Sequence, residues 1–72
     1  MSYVGPPYVH FPKKWIPKLV SLPEWGMGWQ KVDVHFKNGL VIHGVIVLNC
    51  EETIDARLLN VDLNDIIDIT EA

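Results

Sequence analysis

A single cysteine, Cys50, denies this 72-residue chain an internal disulfide and a thiolate cluster for zinc. No apolar run is long enough to span a membrane as a helix, and the N-terminus carries no signal-peptide apolar stretch, so a soluble cytoplasmic protein is expected. Basic residues are scarce: six stand against nine acidic ones, for a formal net charge of -3. They are also unevenly spread. Lys13, Lys14, Lys18 and Lys31 face only Glu24 in residues 1–31, whereas Lys37 and Arg57 face eight carboxylates in residues 32–72. A polyanion is attracted by the first segment and repelled by the second. Proline is absent after Pro23 and tryptophan after Trp29, which confines both to residues 1–30. Apolar side chains are plentiful, at 49% of the chain. A domain this small is marginal on its own core, so oligomerisation is the expected remedy.

The stretch Lys31–Leu48, KVDVHFKNGLVIHGVIVL, organises the rest. Val32, Val34 and Phe36 alternate with Lys31, Asp33, His35 and Lys37, the period of a half-buried strand. Asn38-Gly39 tolerates positive φ and predicts a tight hairpin. Leu40–Leu48 is apolar on both faces, so both faces are expected to be covered. Gly44 near its middle predicts a sharp bend, as in the second strand of a small barrel.

Residues 1–30 hold Pro6, Pro7, Pro12, Pro17 and Pro23 together with Tyr3, Tyr8, Phe11, Trp15, Trp25 and Trp29. Pro17 is expected to interrupt any long helix through Lys13–Val20 and leave short helical turns and extended pieces, because it removes a donor and crowds the preceding turn. Ser21-Leu22-Pro23-Glu24 has the form of a capping box, which predicts a short helix starting at Ser21. The aromatics pack over a barrel end or a neighbouring subunit on one reading. On the other, Lys13, Lys14, Trp15 and Lys18 form a basic-aromatic face that stacks on bases and tracks phosphates.

After the hairpin, Asn49-Cys50-Glu51-Glu52 reads as a turn and Thr53–Leu59 as a third strand. Asn60 marks a further bend, and Ile66–Ile69 is a last short strand with apolar residues on both faces. Such a strand is not expected at an exposed edge, where charges or prolines usually block pairing, so either the barrel closes over it or another chain pairs with it. The pieces amount to about five short strands in some 40 residues, an all-β fold. Residues 1–30 form an irregular, partly helical segment packed on it.

In this order, Lys31–Ile69 resembles the Sm-like ring-forming small β-barrels of RNA metabolism. Val32, Val34, Phe36, Asn38-Gly39, Gly44 and Ile46 match the spacing of that family's first motif, and Val61, Asn64, Ile66 and Ile69 match its second. The resemblance implies a five-stranded, strongly bent antiparallel barrel over residues 31–72, an Sm-like or SH3-like architecture, and a homo-oligomeric ring of five to seven subunits, closed by strand pairing between neighbours through Leu58, Ile66, Ile67 and Ile69. It also implies single-stranded RNA in the lumen, held by pore loops with Phe36, Lys37, Asn38, Asn49, Asp62 and Asn64. The match has departures: Asp62 stands where the family has Arg, and Leu63 where it has Gly. Repeated around a ring, Glu51, Glu52 and Asp62 would focus a negative potential where phosphates must enter.

The nucleophile and metal-ligand candidates are His10, His35, His43 and Cys50. His43 and Cys50 lie roughly 20 Å apart on an extended strand, too far for a Cys–His pair. A two-residue turn would pair His35 with Ile42 and set His35 and His43 on opposite faces, so they would not share a metal. No catalytic residue, cofactor or metal is assigned. Three readings stand. The first is an Sm-like ring acting as an RNA scaffold or chaperone. The second is the same ring serving protein–protein interaction, and the third is an SH3-like barrel within a larger assembly.

Overall fold

Period-two alternation is what the central strand obeys. The computed structural model describes residues 8–72, so Tyr3, Pro6 and Pro7 lie outside it. In chain order its elements are strand β1 (Val9–His10), helix α1 (Ile16–Ser21), and strands β2 (Trp29–Phe36), β3 (Val41–Leu48), β4 (Glu52–Thr53) and β5 (Ile66–Glu71). Short 3₁₀ turns occupy Lys13–Trp15, Ala56–Asn60 and Leu63–Asp65. All pairings are antiparallel, in the order β1-β4-β3-β2-β5, and the sheet curls into a half-barrel. Along β2, Gln30, Val32, Val34 and Phe36 point into the curl while Trp29, Lys31, Asp33 and His35 point out. The core joins Val32, Val34 and Phe36 to Ile42, Val45 and Val47 of β3, Ile66 and Ile69 of β5, and Leu58.

The bend in β3 lies where expected, and its construction is specific. Val32 pairs with Val45 and Val34 with Ile42, so Asp33 alone opposes both His43 and Gly44. That two-against-one count is a β-bulge. Gly44 takes φ +68°, a left-handed conformation that costs glycine nothing. The Gly44 amide, lost to the ladder, donates instead to Asp33 Oδ1 at 3.0 Å.

The hairpin register differs from expectation by one residue. The Gly39 amide donates to the Phe36 carbonyl and the Phe36 amide to the Leu40 carbonyl, leaving Lys37, Asn38 and Gly39 as a three-residue loop. Asn38 Oδ1 accepts the Leu40 amide and holds the loop closed. His35 therefore pairs with Val41, not Ile42. With the bulge added, His35 and His43 both reach the outer face, beside Asp33, and are not on opposite faces.

The segment Thr53–Leu59 is not a third strand. Thr53 Oγ1 donates to the Ile46 carbonyl and accepts the Asp55 amide, and Asp55 then accepts the Arg57 amide. These local side-chain bonds divert the backbone into the 3₁₀ turn Ala56–Asn60, because they offer it partners that a strand would need from a neighbour. The turn before β4 is as read from Asn49-Cys50-Glu51-Glu52: Asn49 and Cys50 take φ +54° and +59°, the pattern of a hairpin turn with two left-handed residues.

The N-terminal segment is part of the fold from Val9 onward. β1 extends the sheet beside β4, and Phe11 and Leu19 enter the same core as β2 and β3. No long helix runs through Lys13–Val20: a 3₁₀ turn over Lys13–Trp15 leads into the six-residue α1, and Pro17 sits in its first turn, where a missing N–H leaves no hydrogen bond unmade. Ser21 ends α1 and does not start a helix, and its hydroxyl donates to the Lys18 carbonyl. The C-terminus of α1 is secured by Gln30, only 1% exposed, whose Nε2 donates to the carbonyls of Leu19 and Leu22.

Candidate interaction surfaces

β2 and β3 set the ends of the molecule, and the residues assigned above to pore loops divide between them. The loop Lys37–Gly39 and the turn Leu63–Asp65 meet at one end. There the Lys37 amide donates to the Asp65 carbonyl, and Lys37 Nζ lies 3.2 Å from Asp65 Oδ1. Phe36 is buried in the core. Asn38 and Asp62 spend side-chain oxygens on the amides of Leu40 and Asn64. Asn49 lies at the opposite end of the β2–β3 hairpin, roughly 20 Å away along an eight-residue strand. The loops are thus not gathered into one site, and their single cation is paired.

The basic-aromatic face is partly taken up by the fold. Trp15 packs against the core, with its Nε1 buried, and Lys14 lies 5.8 Å over its ring. Lys18 Nζ is 3.2 Å from Asp68 Oδ1. Burial raises the Asp68 carboxyl, but the Ile69 amide and Lys18 outweigh it and leave the group below its ordinary range. Lys13 and Lys14 remain exposed and make no ion pair among the described residues.

The last strand is not closed over by the chain's own barrel. β5 pairs with β2 alone and forms one border of the sheet. Of the residues assigned to a subunit interface, Leu58, Ile66 and Ile69 are spent on the chain's own core. Ile67 faces outward and is 62% exposed. The reason is a register shift at the start of β5: His35 pairs with Asp68 and Phe36 with Ile66, so Ile67 is left unpaired and turned out.

The outer face of the curl carries features that alternation alone did not reveal. β3 is apolar on both sides, yet Ile46 is exposed on the outer one. Ile46, Leu48, Thr53, Ile54 and Asp55 line a cavity of about 250 Å³. Asp55 is held there by Arg57, whose guanidinium bonds lower the carboxyl, while Asp55 in turn raises Arg57. Trp29 pairs with Leu48 and Lys31 with Ile46, so both stand beside the cavity wall. Lys31 Nζ lies 5.5 Å over the Trp25 ring, and the Trp25 and Trp29 rings are 6.3 Å apart. The symmetric run Trp25-Gly26-Met27-Gly28-Trp29 was the sequence signal for this turn; it closes by amide bonds between Gly26 and Trp29.

The histidines serve local contacts: His43 Nδ1 lies 3.2 Å from Asp33 Oδ2, His35 Nε2 lies 2.8 Å from Thr70 Oγ1, and His10 Nδ1 lies 3.6 Å from Glu52. Asp33 is held below its ordinary range first by the Gly44 amide, with His43 adding to the effect. Among the described residues no group of three His, Cys, Asp or Glu is placed to hold a metal, and no helix is long and apolar enough to cross a membrane. Compared with known proteins, the chain matches no family model, no curated protein and no solved structure.

Proposed function

We propose that the chain is an Sm-like small β-barrel that assembles through its sheet edge into a ring and acts as a protein-interaction scaffold. One observation carries this reading: β5 is an edge strand with an outward isoleucine at position 67 and no proline or lysine along it, and of its two carboxylates, Asp68 and Glu71, Asp68 is paired with Lys18. An exposed edge of this kind recruits a further strand through main-chain hydrogen bonds. A head-to-tail contact between identical chains closes into a ring or continues as a filament. The bent β3, with its bulge at Gly44, and β5 lying beside β2 support the Sm-like part of the reading.

Protein is favoured over RNA as the ligand because the cations are either paired or few. Lys37 and Lys18 each hold an aspartate, and Trp15 is packed against the core rather than free to stack on a base. The RNA reading keeps one observation in its favour, the exposed Lys13 and Lys14 at the 3₁₀ turn before α1.

Solution mass measured by light scattering, with and without short oligo-U or oligo-A at low salt, tests both. A mass of several subunits that ignores RNA is expected. A mass that rises with RNA transfers the function to nucleic acid, with Lys13 and Lys14 the first residues to replace. A monomer at every concentration removes the ring.

A further inference from the structure

The main-chain groups of β5 fall into two sets, one facing β2 and one facing the border of the sheet. The Ala72 amide donates to the Lys31 carbonyl, and further along the ladder Asp33 pairs with Thr70 and His35 with Asp68. Bonded and non-bonded pairs alternate in an antiparallel ladder, so Thr70 and Asp68 bond to β2 while the N–H and C=O of Ile69 and Glu71 point to the border. A further strand would have to bond there. The Ile69 amide is already taken: it donates to Asp68 Oδ1 at 2.8 Å. The same oxygen accepts Lys18 Nζ of α1 at 3.2 Å. Ile69 is fully buried, main chain included, although it belongs to a border strand. The two side chains engaged there are not, Lys18 being 39% and Asp68 48% exposed.

We propose that Asp68, steadied by Lys18, is a latch on the β5 edge: it holds the Ile69 amide and so restrains the strand pairing that joins copies of the chain. The inference rests on the edge assembly proposed above and adds its control. Main-chain hydrogen bonds supply the affinity of strand addition, and Ile69 offers the donor at the middle of this edge. A carboxylate is a stronger acceptor than the strand carbonyl that would replace it. Each association must therefore break a charge-assisted bond at the centre of the contact. The latch can open without unfolding, because water reaches both half-exposed side chains and can take over their bonds. The other titratable group facing Asp68 is His35, opposite it on β2, and its Nε2 lies 2.8 Å from Thr70 Oγ1. Ile67 stays clear of the latch and remains exposed on the same strand. The edge is thus apolar at one point and shut at the next.

Sedimentation velocity over a range of protein concentrations tests it, together with hydrogen exchange at Ile69 on the dilute monomer. Asp68→Ala removes the latch and should tighten association about tenfold, the worth of one hydrogen bond to a charged group. Its Ile69 amide should exchange faster than the parent's after correction for intrinsic rates, while the Thr70 amide, bonded to β2, keeps its protection. Asp68→Asn loses the charge but keeps a side-chain oxygen for the Ile69 amide, so its association should lie nearer the parent than Asp68→Ala. Adding Ile67→Lys to Asp68→Ala should abolish the gain, which places it at β5. Thermal melting of the variants should stay close to the parent, since the ion pair is half exposed. An Asp68→Ala variant that associates no more tightly than an assembled parent overturns the latch alone. If both are monomeric at every concentration, the edge assembly falls with it. An Asp68→Asn variant as tight as Asp68→Ala also overturns the proposal, because repulsion between carboxylates would then be the restraint. So does an Ile69 amide that is unprotected in the parent.

Discussion

Asp33 and Gly44 together make the bend on which the curl of the sheet depends. Gly44→Ala forces an L residue to φ +68° and sets its Cβ 3.4 Å from Lys31 Cε. The backbone alone costs about 1–2 kcal/mol. Lysine's flexible end can give way, so the contact should add little. Gly39→Ala meets no atom within 4 Å but also starts from positive φ, at +89°. Its cost should therefore be of backbone origin only and no greater than that at Gly44, as urea denaturation of both variants would check. Asp33 carries a pH dependence. Its carboxyl ionises below the ordinary aspartate range, chiefly because it accepts the Gly44 amide. A group whose folded pKa is lower than its unfolded one stabilises fully above the unfolded value and loses that contribution as pH falls through the folded one. Stability should drain below about pH 4. Asp33→Asn should flatten this acid limb without abolishing it, since Asp55 and Asp68 are lowered too. Denaturant midpoints at neutral and acid pH would show the change.

Among the elements, α1 is held chiefly by two side chains, one its own and one from β2. It is six residues long, too short to persist by its own hydrogen bonds. Leu19 anchors it in the core, and Gln30 occupies its last carbonyls from β2. Gln30→Leu preserves most of the volume and removes the side-chain donor from both carbonyls, but Leu19 keeps the Leu22 amide and the buried, unpartnered Gln30 Oε1 is lost as well, so the net cost should be about 1 kcal/mol. Hydrogen exchange should localise the effect: amides of α1 should exchange faster while those of β2 and β3 keep their protection. Equal acceleration throughout would show instead that α1 and the sheet open as one unit.

For the molecule as a whole, the edge at β5 separates stability from assembly. Ile67→Lys replaces a side chain that already faces water, so the folded chain should change by less than about 0.5 kcal/mol. A lysine on an edge opposes pairing, so edge-to-edge assembly should be lost. Thermal melting combined with light scattering distinguishes the two effects. Ile69→Lys, two residues on, buries a charge in the core and should prevent stable folding.

Much of this fold was legible in the chain alone, and the reason is steric. Alternation of Val32, Val34 and Phe36 makes β2 whatever surrounds it, and positive φ at Gly44, Asn49 and Cys50 falls at bends that local chemistry already marks. The small all-β class and the hairpin follow from such short-range rules. Three matters were decided only by the tertiary structure. Thr53–Leu59 has a strand-like composition, but Thr53 and Asp55 find nearer partners for the backbone and turn it aside. Ser21 was assigned the wrong end of a helix because the placement of α1 depends on Leu19 reaching the core and Gln30 reaching Leu19 across the fold. The candidate surfaces were hidden for a related reason. Hydrophobic patterning identifies residues that avoid water, but it does not say which apolar face the chain can cover for itself. Ile66 and Ile69 were covered, whereas Met27, Ile46 and Ile67 were not, because one sheet of this size has too few neighbouring elements to close over both of its faces and both of its edges.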